Sequence, residues 1–169
     1  MGYLLKVAGT TQDSIVDGPG LRFVVFTQGC DKECEGCHNP ATWDIGGGTE
    51  ISVEDLEKIM LENPLTDGLT LSGGEPFLQA AECANLAKAA RLANLNVWVY
   101  SGYTFEELLL RSKKDLHVKN LLEQSDVLVD GAFDLSKRTL SLTWRGSLNQ
   151  RLIDVKMSMK LGKAVEMET

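Results

Sequence analysis

Gly68-Leu69-Thr70-Leu71-Ser72-Gly73-Gly74-Glu75-Pro76 is the stretch that decides the fold. An apolar run, Gly68 to Leu71, stops at two adjacent glycines, and Pro76 begins a helix near its first position. Downstream, about Leu78 to Ala93 has helical spacing, Asn96 to Tyr100 reads as a strand, and Thr104-Phe105-Glu106-Glu107 caps another helix. A further helix is expected from Asp115 to Gln124, then strands at Asp126 to Val129, Leu140 to Trp144 and Leu152 to Val155. Upstream, Tyr3 to Val7 is a strand, Thr10 to Gly20 a loop, Leu21 to Thr27 a strand of the doubly buried kind, and Ser52-Val53-Glu54-Asp55 caps a helix running to about Leu61. Strands alternating with helices predict an α/β fold with a parallel sheet. The segment from about 156 to 169 lacks a clear period and reads as a mobile tail.

The 169 residues fit a single domain able to bury about 70% of its unfolded surface. No apolar stretch approaches the roughly 20 residues of a membrane span, and the N-terminus is too weakly apolar for a secretory signal, so a cytoplasmic protein is expected. With 17 basic against 24 acidic residues and a net charge of −7, the chain lacks the basic excess of a nucleic-acid binder.

Three of the four cysteines, Cys30, Cys34 and Cys37, form a C-x3-C-x2-C cluster just after the strand Leu21 to Thr27. Thiolates at this spacing suit an iron-sulfur cluster or zinc. Three ligands on a four-iron cluster leave one iron open, whereas a Cys3His zinc site would recruit His38 and a closed ferredoxin-like cluster would recruit Cys83. Cys83 lies in an alanine-rich segment at helical spacing, which implies a buried side chain. In parallel α/β folds, functional loops follow the carboxyl ends of strands. Here these are Cys30 to Cys37, Ser72 to Pro76, Ser101-Gly102-Tyr103 and Asp130-Gly131. Paired glycines at such an end let backbone approach a ligand closely. Trp43 and Trp144 read as core anchors, and Arg145, Asn149 and Arg151 as either a docking patch or a solvated edge.

The cysteine cluster followed by Gly73-Gly74-Glu75-Pro76 resembles the radical S-adenosylmethionine superfamily. Val16-Asp17-Gly18-Pro19-Gly20 and Cys37-His38-Asn39-Pro40-Ala41-Thr42-Trp43 narrow the resemblance to glycyl-radical-enzyme activases. Val97 to Tyr103, Leu128 to Phe133 and Trp144 to Arg151 are similar to one branch, the activases of anaerobic ribonucleoside-triphosphate reductases. The resemblance spans essentially the whole chain. It implies a [4Fe-4S] cluster on Cys30, Cys34 and Cys37 and S-adenosylmethionine on the open iron, its amino group held near Gly73 and Gly74. Many superfamily members carry an aromatic residue where this chain has Gly36, so adenine contacts are left to the backbone of Gly36, Cys37 and His38, with Ser101 and Asp130 as candidates for the ribose.

Implied partners are the large reductase subunit and an electron donor such as a flavodoxin or ferredoxin. An eight-fold barrel usually takes about 250 residues, so length and resemblance together predict a partial, open (β/α)6-type barrel of roughly six parallel strands. A pyruvate formate-lyase-type activase, a deazaguanine-pathway enzyme and a non-enzymatic zinc or iron-sulfur protein stay open as alternatives.

Overall fold

A computed structural model describes residues 3–30, 44, 46–139 and 144–167. A seven-stranded sheet runs through the molecule: β1 (Leu4–Ser14), β2 (Arg22–Thr27), β3 (Thr49–Ser52), β4 (Gly68–Gly73), β5 (Asn96–Tyr100), β6 (Val127–Asp130) and β7 (Arg151–Asp154), in spatial order β3-β1-β2-β4-β5-β6-β7. The helices are α1 (Val53–Met60), α2 (Ala80–Leu92), α3 (Phe105–Ser112), α4 (Leu116–Gln124) and α5 (Val155–Leu161).

The mixed α/β architecture agrees with the sequence pattern, but the strand directions differ from the expected six parallel strands. Parallel pairing is confined to β2, β4, β5 and β6, while β1–β2, β1–β3 and β6–β7 are antiparallel. Connection length explains this. A parallel return needs a crossover, usually helical, whereas residues 15–21 form only a short link between β1 and β2. Between β6 and β7 the described residues contain no α-helix, only a 3-10 turn at Leu135–Lys137. The sheet is open, with β3 and β7 as its edges and no pairing between them among the described residues.

The two faces of the sheet follow the strand period of two. On one, Phe23, Val25, Leu69, Leu71, Val97, Val99, Leu128 and Ile153 join buried residues of all five helices in the main core. On the other, Trp98, Val127, Val129 and Leu152 form a smaller cluster against Tyr100 and Trp144. Trp98 and Trp144 meet edge to face, with ring centroids 5.0 Å apart. The helices begin where side chains supply acceptors: the Ser52 hydroxyl accepts from the Asp55 N–H, and Thr104 and Glu107 form a reciprocal capping box.

Three local expectations are corrected. Residues 10–14 are strand rather than loop, because β1 continues beside β2 through two register shifts, with Asp13 at φ 59° between Thr11 and Ser14. Their side chains are all polar, so no apolar alternation betrays the strand. Edge strand β3, which the pattern does not predict, follows the glycine run Gly46 to Gly48 and is only four residues long. The tail is tied down: α5 ends in a left-handed Gly162, Glu166 bridges Ile153, and the Met167 N–H donates to the Leu152 carbonyl at 2.8 Å. Of the expected strand Leu140 to Trp144, residues 140–143 lie outside the described residues, and Trp144 is in a turn.

Candidate active site at the carboxyl ends of the parallel strands

The chain leaving β2 and the chain leaving β4 are bonded to each other. The Gly74 N–H donates to the Thr27 carbonyl (2.7 Å), the Glu75 N–H to the Gly29 carbonyl (2.7 Å), and the Thr27 hydroxyl to the Ser72 carbonyl (3.0 Å). Gly73 has φ 90°, and a Cβ there would stand 2.5 Å from the Thr27 nitrogen. A Cβ on Gly74 would overlap the Gly29 carbonyl. The closest approach these glycines permit is thus to the segment that enters the cysteine loop.

Above this junction lies a cavity of about 400 Å3, within the range of small-ligand sites. Cys30, partly buried, borders it together with Gly73, Gly74, Ser101 and Gly102. Phe26, Ser72, Tyr100 and Val129 line it from the sheet face opposite the helices, one face of successive strands. Burial pushes the Tyr100 phenol well above its ordinary pKa, so it is neutral at physiological pH. The rest of the lining comes from Val16, Asp17, Phe133, Trp144, Arg145 and Gln150.

Glu75 organises the rim, a role that sequence reasoning missed. It is 1% exposed; one oxygen accepts from the Gly102 N–H (2.7 Å) and the other from the Ser101 hydroxyl (2.9 Å) and the Phe77 N–H (3.1 Å). One carboxylate therefore joins the ends of β4 and β5. The only sequence signal was an acid between the glycines and Pro76, at the N-terminus of a short 3-10 helix (Pro76–Gln79).

Ser101 borders the cavity, but its hydroxyl is engaged by Glu75 and accepts from the Tyr103 N–H at 3.1 Å. Asp130 does not border it. It is fully buried, accepting from the Phe105 N–H (2.7 Å) and from Arg151 Nε (3.0 Å) and Nη2 (2.5 Å), so the expected ribose contact gives way to a structural ion pair. Arg151 also reaches the exposed Glu106, and these bonds raise the guanidinium pKa while holding the Glu106 carboxyl below its usual value. Arg151→Met is expected to lower unfolding stability by about 2 kcal/mol, read as a shift in the denaturant midpoint, because it strips a buried carboxylate of its cation. An unshifted midpoint contradicts this account of Asp130.

Cys83 is fully buried in α2, in the core on the opposite face of the sheet, which removes it as a ligand beside Cys30. Cys34, Gly36, Cys37, His38 and Trp43 lie outside the described residues. Trp144 is both a packing partner of Trp98 and a wall of the cavity. Of the late polar group, Arg151 is paired and Asn149 donates to the Ala132 carbonyl, so Arg145 is left facing the cavity. Among the described residues no helix is long and apolar enough to cross a membrane.

Residues 16–153 match a family model described as a 4Fe-4S single cluster domain. The chain is 37% identical over 144 residues to the anaerobic ribonucleoside-triphosphate reductase-activating protein of Vibrio cholerae, covering 80% of this chain and 89% of that one. It is 36% identical over 143 residues to the protein of the same name from Enterobacteria phage T4 (81% and 86%) and 35% identical over 147 residues to that of Escherichia coli (80% and 90%). With the cysteine loop rooted beside the Gly73–Gly74 junction and similarity over four-fifths of its length, the chain belongs to the family of anaerobic ribonucleoside-triphosphate reductase-activating proteins and carries their 4Fe-4S single cluster domain.

Proposed function

We propose that the chain is a radical S-adenosylmethionine activase, cytoplasmic, that cleaves S-adenosylmethionine reductively and generates a glycyl radical on the large subunit of anaerobic ribonucleoside-triphosphate reductase. The observation that carries this reading is the placement of Cys30 on the same cavity as Gly73 and Gly74. The donor chemistry fits the implied cluster: Cys30, Cys34 and Cys37 supply three thiolates within eight residues of sequence, and no further cysteine borders the cavity among the described residues. Held by these cysteines, a four-iron cluster would supply the electron for reductive cleavage of S-adenosylmethionine, the chemistry by which a hydrogen atom would be taken from a backbone glycine of the partner.

The chain's own residues bind and orient. Gly73 and Gly74 present backbone to the methionyl end, Phe26 and Val129 exclude water, and Glu75 keeps the β4 and β5 ends at a fixed separation. The second substrate in this reading is a peptide loop of the partner, and the electron comes from a donor such as a flavodoxin or ferredoxin. Anaerobic reconstitution with iron and sulfide tests the reading. A reducible four-iron cluster whose electron paramagnetic resonance spectrum changes on adding S-adenosylmethionine is expected; a spectrum indifferent to it overturns the assignment.

A further inference from the structure

Arg145 is the one cation bordering the cavity among the described residues. Its Nε is enclosed without a hydrogen-bond partner, and its guanidinium makes no ion pair or hydrogen bond among the described residues. The surrounding polar groups do find partners. The two acids of the cavity, Asp17 and Glu75, accept from Ser14 and from the Ser101–Gly102 rim, while Arg151 is held by Asp130.

Nor is the backbone at Arg145 loose. Trp144 holds a left-handed φ of 60° while its ring meets Trp98 edge to face, a conformation that a non-glycine residue keeps only when its surroundings impose it. The Gln150 amide accepts from the Gly146 N–H (2.8 Å) and donates to the Gly131 carbonyl (3.0 Å), fastening the segment to the end of β6. A cation is thus presented on a braced turn, in no ion pair among the described residues.

We propose that Arg145 is an anion-binding residue of the cavity whose ligand is a carboxylate. The planar guanidinium matches the two oxygens of a carboxylate, and a small rotamer adjustment gives Nε the acceptor it lacks. Asp17 and Glu75 on the same cavity disfavour a doubly charged phosphate and leave a singly charged anion as the fit. Two carboxylates have access: the amino-acid carboxylate of an S-adenosyl compound, or an acidic side chain or C-terminus of the protein partner. The choice of probes, though not the site, rests on the function proposed above.

The test is equilibrium binding to the reconstituted holoprotein, parent against Arg145→Gln and Arg145→Lys, with three probes. S-adenosylhomocysteine carries the carboxylate, 5'-methylthioadenosine lacks it, and the large reductase subunit is the third. Arg145→Gln is expected to weaken either S-adenosylhomocysteine or the large subunit about tenfold or more, with methylthioadenosine unchanged and Arg145→Lys partly restored. Loss confined to S-adenosylhomocysteine identifies the small-molecule carboxylate, and loss confined to the subunit identifies the partner's. Equal losses for both nucleosides, or none for any probe, overturn the proposal. Should the parent protein bind neither nucleoside, the reading of the cavity fails, and the subunit arm still decides the role of Arg145.

Discussion

Replacing Cys30 by alanine is expected to abolish assembly of the four-iron cluster and all cleavage of S-adenosylmethionine, with less than about 1 kcal/mol lost from the stability of the fold. The separation of the two effects follows from position. Cys30 follows β2 by three residues and is partly exposed on the cavity rather than packed in either hydrophobic cluster, so its removal opens no void in the core. In the proposed ligand set of three thiolates, the cluster instead loses a third of its protein ligands. Iron and sulfide content, the electron paramagnetic resonance spectrum and a denaturant curve on the same sample separate the outcomes. Cys83→Ala is the matched control: its thiol, driven to a high pKa by burial, lies in the opposite core, and cluster content is expected to stay at the parent level. Parent-level cleavage by Cys30→Ala contradicts the proposed ligand set.

Arg22→Met is expected to produce the largest loss of stability of any single substitution argued for this chain, about 3–5 kcal/mol. Arg22 is fully buried in the sheet, and its guanidinium donates to Thr70 Oγ1 (2.7 Å), the Pro19 carbonyl (2.9 Å) and the Leu69 carbonyl (2.9 Å), while lying 5.6 Å from the Trp98 ring centroid. Burial draws its pKa down to about 10, so it is charged at neutral pH and its bonds are charge-assisted. Methionine fills much of the volume but removes the donors to Thr70 Oγ1 and to the Pro19 and Leu69 carbonyls.

The loss also reaches the site. The Thr70 hydroxyl donates to the Asp17 carbonyl (2.8 Å), so Arg22 and Thr70 together hold the 15–21 connection beneath the cavity that Val16 and Asp17 border. A denaturant midpoint that moves by less than a tenth of its value contradicts the structural role. Arg22→Lys, which keeps the charge but lacks the fork, is expected to fall between parent and Arg22→Met.

The central strands were legible because each is a short apolar run closed by glycine or polar residues, as in Leu69 to Gly73 and Val97 to Gly102. Edges were not. Residues 10–14 of β1 and all of β3 gain their structure from neighbours rather than from pattern, and α5 is too short to display a period. The same division holds at the site. Cys30, Gly73 and Gly74 could be found because their spacing is local, and they do converge. Glu75, Tyr100 and Asp17 meet only through pairing of distant strands.

Asp130 illustrates the failure in physical terms. An aspartate at a strand end reads as a candidate ligand for a ribose, yet the antiparallel return of β7 places Arg151 directly across from it and turns the carboxylate into a buried counter-ion. Arg151 is near in the ladder but far along the chain, and nothing in the local pattern announces the partnership.

The central claim is that this chain converts cleavage of S-adenosylmethionine into a radical on its partner. It is tested most directly by mixing the reconstituted protein anaerobically with the large reductase subunit, a reductant and S-adenosylmethionine, then following 5'-deoxyadenosine by chromatography and the radical by electron paramagnetic resonance in the same samples. Both are predicted to rise together, with the doublet of a glycyl radical on the large subunit and neither signal when S-adenosylmethionine is omitted. Radical formation without 5'-deoxyadenosine, or 5'-deoxyadenosine with no radical on a competent partner, would contradict it.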